Sequence, residues 1–182
     1  GCNKAFLELG SSTVLEKVIS AATPLAVEIM LIADETDDFA RFGLPVFPDV
    51  HTGLGPLGGL HTALAHAPSE VVLLLACDLP FLKTEFLYFL LESLQDHQAA
   101  IPRSSEGLEH LCALYTPSCL PAVEGSIARQ KLHMASFHHE LDIRILEPAE
   151  WQSLDPGQTL FMNLNKPADY QRAQTLLEKE LP

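Results

Sequence analysis

Basic residues are scarce in this chain of 182 residues: 11 Lys and Arg stand against 24 Asp and Glu, a formal charge of −13. Such a balance offers no basic face for a nucleic-acid backbone and none for an anionic membrane surface. A small anionic substrate remains compatible, because a metal ion or a few local cations can reverse the sign within one cleft. Cysteine is sparse too. Cys2, Cys77, Cys112 and Cys119 form no C-x-x-C pair, and Cys77 and Cys112 lie in apolar runs, where a free thiol behaves as a small hydrophobe. The expectation is reduced core cysteines in a cytoplasmic protein. Long apolar runs are missing. The longest, Val71 to Cys77, is too short to span a bilayer, and no signal peptide is visible. No repeat, linker or low-complexity tract interrupts the chain.

What is present is a high apolar content, 47% of residues, enough to build the core of one domain over residues 1–182. Ser11 or Ser12 is positioned to cap a helix through Val14, Leu15, Val18 and Ile19, closed by Pro24. Ala26 to Ala33 reads as a buried strand, Thr36 to Arg41 as a short helix, and Leu44 to Phe47 as a strand ended by Pro48. A glycine-rich loop over Gly53 to Gly59 leads into a helical stripe of Leu60, Ala63, Leu64 and Ala67. Val71 to Ala76 reads as a strand buried on both faces. Thr84 is placed to cap a helix carrying Phe86, Leu87, Leu90 and Leu94. Strands follow at Ala99 to Pro102 and Leu111 to Tyr115, then helices at Pro121 to Ile127 and near Gln130 to Ala135. Leu141 to Leu146 alternates like a half-exposed strand, Leu160 to Met162 reads as a further strand, and Pro167 to Leu181 as a closing helix. The alternation predicts an α/β fold: a three-layer, doubly wound, mostly parallel sheet with one antiparallel strand.

In such sheets ligands sit beyond the carboxyl ends of the strands. The residues there are Asp34, Asp49, Cys77, Asp78, Asn163 and Asn165. Asp78 follows the most apolar strand and precedes Leu79 and Pro80. Pro80 lacks an N–H and restrains Leu79, so the turn is stiff. A carboxylate held there suits Mg²⁺, which takes one or two carboxylates together with substrate phosphate oxygens and water. The glycines before the helix allow close approach of a ligand to backbone, at a helix end that favours anions. Gly53, Gly55 and Gly58 also match G-x-G-x-x-G. A dinucleotide fingerprint is disfavoured, because Pro48 to Thr52 separate the strand from the first glycine and Pro56 removes an N–H from the cradle. Lys4, ahead of an apolar segment, suits either a phosphate ligand or a solvated surface charge. His133, His138 and His139 read as surface residues, and His110 as a neighbour of the cleft.

In this order the segments resemble the molybdenum cofactor guanylyltransferase family, within the Rossmann-like nucleotidyltransferases. Gly1-Cys2-Asn3-Lys4 through Gly10 resembles the tail of its N-terminal signature. Pro48-Asp49 with Gly55-Pro56-Leu57-Gly58-Gly59-Leu60 resembles its PD…GPLAGL element, and Cys77-Asp78-Leu79-Pro80-Phe81-Leu82 its CDMPFL element. Glu109-His110-Leu111-Cys112-Ala113-Leu114-Tyr115 resembles its HPLCALY strand, and Phe161-Met162-Asn163-Leu164-Asn165 to Asp169 its terminal FxNINTPED segment. The likeness runs from Gly1 to Tyr170. Asn3 stands where the family has Asp, Lys166 where it has Thr, and Leu111 where it has Pro. The resemblance further implies that a first strand and most of a glycine-rich phosphate loop precede Gly1.

The resemblance implies a Mg²⁺-dependent enzyme that moves GMP from GTP to the phosphate of molybdopterin, releasing pyrophosphate. It implies GTP and molybdopterin as substrates, and transient contact with molybdopterin-delivery or molybdoenzyme proteins. By position, Lys4 and Asp78 are the catalytic pair, with Asp78 on the metal. Lys4, Asp49, Gly55, Pro56, Leu57 and Asp78 meet the nucleotide. Asn163 and Asn165 lie on the molybdopterin side. Two alternatives stay open: a sibling nucleotidyltransferase using CTP or another phosphate acceptor, and a non-catalytic nucleotide-binding protein that retains the fold.

Overall fold

Local chemistry sets the start of the fold. The computed structural model describes residues 4–34 and 37–180, so Cys2, Asn3, Thr36 and Leu181 lie outside the described residues. A 3₁₀ turn over Lys4–Phe6 leads into a tight antiparallel pair, β1 (Glu8–Leu9) and β2 (Ser12–Thr13). Helix α1 (Val14–Ala22) begins at Thr13 rather than at Ser11 or Ser12. The Thr13 hydroxyl accepts the Glu16 N–H, and the Glu16 carboxylate accepts the Thr13 N–H at 2.6 Å, a complete capping box. Both Ser12 and Thr13 pair in the hairpin, and Thr13 is the one that stands immediately before Val14, at the N-cap.

The packing divides the chain into two compact units. The first joins residues 1–26, 75–89 and 148–182. Its core gathers Leu9, Val14, Phe81, Leu164 and Ala173, with Tyr170, Leu176 and Leu177 packed on it. The last three and Ala173 come from the closing helix, as their spacing predicts. A second apolar group sets Phe86, Trp151 and Phe161 edge to face, with ring centroids 5.2–5.7 Å apart, a geometry that adds to simple burial.

The second unit joins residues 27–74 and 90–147. It holds a short parallel pair, β3 (Leu31–Ile32) with β4 (Val46–Phe47), and helix α2 (Pro56–His66). Its five-stranded sheet runs β5 (Val72–Leu75), β8 (Cys112–Tyr115), β6 (Ala99–Ser104) and β7 (Gly107–Leu108), with β9 (Ile143–Leu146) also on β6. β9 runs parallel to β6 while β8 and the two-residue arm β7 run antiparallel to it. Helix α3 (Thr84–Leu94) connects β5 to β6, and α4 (Leu120–Ala128) follows β8. The core joins Leu57, Leu60, Ala63 and Leu64 of α2 to Val72, Ile101, Ala113, Tyr115, Val123 and Phe137. Two helices in the closing part of the first unit, α5 (Pro148–Trp151) and α6 (Pro167–Glu180), complete the elements.

The α/β class stands. Several local expectations do not. Ala26 to Ala33 is a strand only at Leu31–Ile32, and Val27 is 97% exposed. The backbone explains this: the Ala26 N–H still bonds to the helix at Ala22, and pairing with the 45–47 segment starts only at Leu31. In β5 only Val72 is buried, the three leucines after it being half-buried. Leu160 to Met162 is a turn, because the Asp155 carboxylate curls the backbone by accepting the Thr159 and Leu160 N–H groups. Gln130 to Ala135 forms no helix; the 3₁₀ turn of this region lies at His138–Glu140. Thr84 is the first residue of α3, and its hydroxyl is spent on the Ala21 carbonyl rather than on its own helix. Cys112 is buried as expected, whereas Cys77 is exposed at the strand tip.

Candidate functional site

In the first unit, the turn after β5 carries Asp78. Leu79, Phe81 and Leu82 are buried beneath it, and the Leu82 N–H closes on the Leu79 carbonyl. The hydrophobic side chains pin the turn from below and leave Asp78 half-buried above. Lys4 comes from the opposite end of the chain. Its ammonium donates to the Asn165 side-chain carbonyl at 2.7 Å across a separation of 161 positions. Lys4 also lies near enough to the turn to favour the Cys77 thiolate electrostatically. Although Cys77 is exposed as a residue, desolvation around its sulfur, followed by the neighbouring Asp78 carboxylate, outweighs that pull, so the Cys77 pKa is raised. Lys4, Cys77, Asp78 and Asn165 are therefore electrostatically or directly linked in one unit.

Asn163 and Asn165 flank Leu164, which is 2% exposed and locked into the core. The alternation places both amides away from that anchor. Downstream, the Asp169 carboxylate accepts the N–H groups of Asn165 (3.0 Å) and Lys166 (2.7 Å) and so caps the start of α6. Asn163 is half-buried and Asn165 exposed.

In the second unit, the parallel register sets Ile32 against Phe47, which brings Asp34 and Asp49 out level at the same strand ends. The Asp49 pKa is raised, chiefly by burial and then by the Asp34 charge, with the Thr62 hydroxyl opposing. Thr62 on α2 accepts the Val50 N–H at 3.0 Å and donates to Asp49 at 3.4 Å, tying the acidic loop to the helix. Gly55 adopts φ 60, ψ −147, a conformation open essentially to glycine alone, and Pro56 then starts the helix. A Cβ on Gly58 would lie 3.2 Å from the His51 carbonyl and 3.2 Å from Leu54, so any side chain there needs the 51–54 loop to shift slightly. Leu57 is fully buried, which leaves only its backbone for a ligand.

Among the described residues no group of three or more His, Cys, Asp or Glu is arranged to hold a metal ion. The described residues thus offer no closed protein cage. A lone half-buried carboxylate such as Asp78 fits Mg²⁺, which keeps several waters and substrate phosphate oxygens among its ligands. It does not fit a structural zinc, which needs four protein ligands.

His133 and His139 are exposed, in line with a surface reading. His138 is not. It packs against His110, ring centroids 5.0 Å apart, and against Phe137. The Nε2 atoms of His110 and His138 are buried with no hydrogen-bond partner among the described residues. Burial, and then the His110 charge, depress the His138 pKa to about 4. Adjacency in sequence to an exposed histidine concealed this pairing. Sequence reasoning also missed Asp155, which is 3% exposed; its one available signal is the Asp155-Pro156-Gly157 turn pattern.

Among the described residues no helix is long and apolar enough to cross a membrane. Residues 1–142 match the model of the MobA-like NTP transferase domain. A Carboxydothermus hydrogenoformans protein named "Probable molybdenum cofactor guanylyltransferase" is 34% identical over 172 residues, 94% of this chain and 87% of the relative. The molybdenum cofactor guanylyltransferase of Mesorhizobium japonicum is 33% identical over 193 residues, with 98% and 89% covered. The crystal structure of molybdopterin-guanine dinucleotide biosynthesis protein A from Archaeoglobus fulgidus superposes with a TM-score of 0.84 at 24% identity, covering 98% of this chain and 92% of that one.

Proposed function

The chain belongs to the MobA-like NTP transferase family, and from that premise we propose that it transfers GMP from GTP to the terminal phosphate of molybdopterin, releasing pyrophosphate. The observation that carries this reading is the Lys4–Asn165 contact at 2.7 Å. It joins the residue assigned to the triphosphate with the residue assigned to the acceptor, on the unit that also holds Asp78.

The attacking group is a phosphate oxygen, already ionised near neutral pH, so no strong general base is required. The chain's task is to hold two anions in line and to stabilise the charge that shifts between them. Lys4 supplies a cation against the charge that develops on departing pyrophosphate. Asn165, oriented by Lys4, and Asn163 present amide donors and acceptors suited to a phosphate or pterin edge. Asp78 would hold Mg²⁺, which when bound offsets phosphate charge and polarises the α-phosphoryl group. Asp49 faces the guanosine. A carboxylate whose pKa is raised by burial and by a neighbouring charge gains when N–H or O–H donors meet it. Guanine offers adjacent N1–H and N2–H donors on one edge, whereas cytosine presents an acceptor at N3. This favours GTP over CTP. The backbone at Gly55, Pro56 and Leu57 is assigned to the nucleotide by the family's pattern. A cytoplasmic location and transient contact with molybdopterin-delivery or molybdoenzyme proteins complete the proposal.

The test is pyrophosphate release by the full-length protein with molybdopterin and Mg²⁺, comparing GTP with CTP. Release with GTP and little with CTP is expected. Preference for CTP moves the chain to a sibling transferase. GTP binding by calorimetry without release under any acceptor makes it a binding protein and sinks the proposal.

A further inference from the structure

The loop that carries Asn163 and Asn165 is held from upstream by a carboxylate that neither the sequence pattern nor the proposed chemistry uses. Asp155 is 3% exposed. Its Oδ1 accepts the Thr159 N–H at 3.1 Å and lies 3.4 Å from the Thr159 hydroxyl, and its Oδ2 accepts the Leu160 N–H at 3.0 Å. The Met162 N–H then closes on the Thr159 carbonyl at 2.9 Å. The backbone from Asp155 to Met162 is thus a closed turn that delivers the chain directly to Asn163. Leu160, fully buried, and Leu164, at 2%, fix its two sides in the core.

A single cation joins this turn to the other half of the chemistry. Lys83 stands just beyond the buried Leu79–Leu82 turn that presents Asp78. Its ammonium donates to the Leu154 carbonyl at 3.0 Å and sits 3.9 Å from Asp155 Oδ1. Asp155 is nearly inaccessible while Lys83 retains 35% exposure. The carboxylate is therefore the more desolvated partner, and its hydrogen-bond donors replace the water it has lost.

The geometry points to Asp155, with Lys83, as the positioning pair that sets the acceptor-side amides against the Asp78 turn. The inference rests on the proposed function and names the residues that keep its two substrate-facing segments in register. Asp155 touches no reacting atom. It acts through the amides of Thr159 and Leu160 and the course of the chain to Asn163.

The experiment uses the full-length protein and two readouts. Asp155→Asn keeps the size of the side chain but offers one acceptor oxygen where two N–H donors need one each. Lys83→Met leaves those donors in place and removes the bridge to the Asp78 turn. The first readout is amide hydrogen exchange, which needs no substrate. In Asp155→Asn, exchange at Thr159, Leu160 and the 161–165 segment should accelerate at least about tenfold, while the amides of α2 and β6 keep wild-type rates. The second is the split of kinetic constants. The KM for molybdopterin should rise on the order of tenfold to a hundredfold in both variants, with the KM for GTP within about twofold of wild type. Lys83→Arg should restore most of the loss. Unchanged exchange at 159–165, acceleration spread evenly over the chain, or equal rises in both KM values would overturn the proposal. A wild-type protein that releases no pyrophosphate would count against the proposed function alone, because the exchange measurement still decides whether Asp155 holds the segment.

Discussion

Acid should unfold this protein earlier than its carboxylates alone would dictate, and His138 is the reason. Its pKa falls from the ordinary 6.5 to about 4 because the folded chain buries the ring and sets it against His110. His110 is depressed as well, by burial, against the opposing pull of a hydrogen bond to the Leu108 backbone. A base with a depressed folded pKa is held neutral by the fold. Between pH 6.5 and about 4 the unfolded chain binds the proton and the folded chain does not. Stability therefore rises with pH across that window and is lost as pH falls through it. The difference of about 2.5 pH units sets a ceiling near 3.4 kcal/mol, at about 1.36 kcal/mol for each unit. His138 keeps some solvent contact, so about 1–2 kcal/mol is the expected share after solvent screening. Glu109 works in the opposite sense. Burial raises its pKa, so its buried form gains stability as it takes up a proton, which blunts the wild-type slope. The comparison that isolates the histidine is urea unfolding from pH 8 to pH 4 for wild type and His138→Gln. The variant should lose less stability than wild type between pH 6.5 and pH 4.5. Equal slopes in the two proteins would refute the buried, neutral assignment of His138.

Four further outcomes follow from the same geometry. Asp78→Ala should cost on the order of 10³-fold or more in turnover with an unchanged melting temperature, while Asp78→Glu retains a trace; normal turnover in the alanine variant would remove Asp78 from the chemistry. Lys4→Met should slow single-turnover pyrophosphate release by about 10²-fold, and unaltered rates would return Lys4 to a surface role. Gly58→Ala, whose Cβ meets the His51 carbonyl and Leu54 at 3.2 Å, should displace the loop bearing Asp49 and weaken GTP binding by calorimetry more than it lowers the melting temperature of the whole chain. Leu60→Ala, at a fully buried site of α2, should lower unfolding free energy in urea by about 2–5 kcal/mol without changing the KM for GTP measured well below the melting temperature.

Much of the fold was legible where burial imposes a period. The stripe of Leu60, Ala63 and Leu64 has helical spacing and does lie on α2, although His61 and Thr62 are buried with it. The turn at Asp78 was legible from Pro80, since the missing N–H and the restriction on Leu79 are local facts. What stayed hidden depends on partners remote in sequence. Ala26 to Ala33 has the composition of a strand, but its extent is set by what pairs with it, and the described ladder reaches only Leu31 to Ala33. Leu160 to Met162 is apolar enough for a strand, yet a buried carboxylate five residues upstream takes the Leu160 amide and the Thr159 carbonyl takes that of Met162. The Lys4–Asn165 contact spans nearly the whole chain, so the sequence could nominate both residues but not join them.

Charge explains why the proposed site rests on so few groups. A chain of net charge −13 repels a triphosphate and a phosphorylated acceptor at long range. At physiological ionic strength that repulsion is screened beyond about 8 Å, whereas groups in contact with substrate are screened far less. Binding must then come from short-range elements placed with care: one ammonium, a carboxylate able to hold a divalent cation, and neutral donors. Asn163 and Asn165 suit this setting because an amide donates to phosphate without needing a counter-charge in the resting enzyme. Lys4 has such a partner in the Asn165 carbonyl, a neutral dipole that orients the ammonium without neutralising it. An aspartate at position 165 would pair with Lys4 more strongly, yet it would spend the cation on an ion pair and present a negative charge to the incoming phosphate. In the proposed site the amide would direct Lys4 and leave its charge to meet the triphosphate.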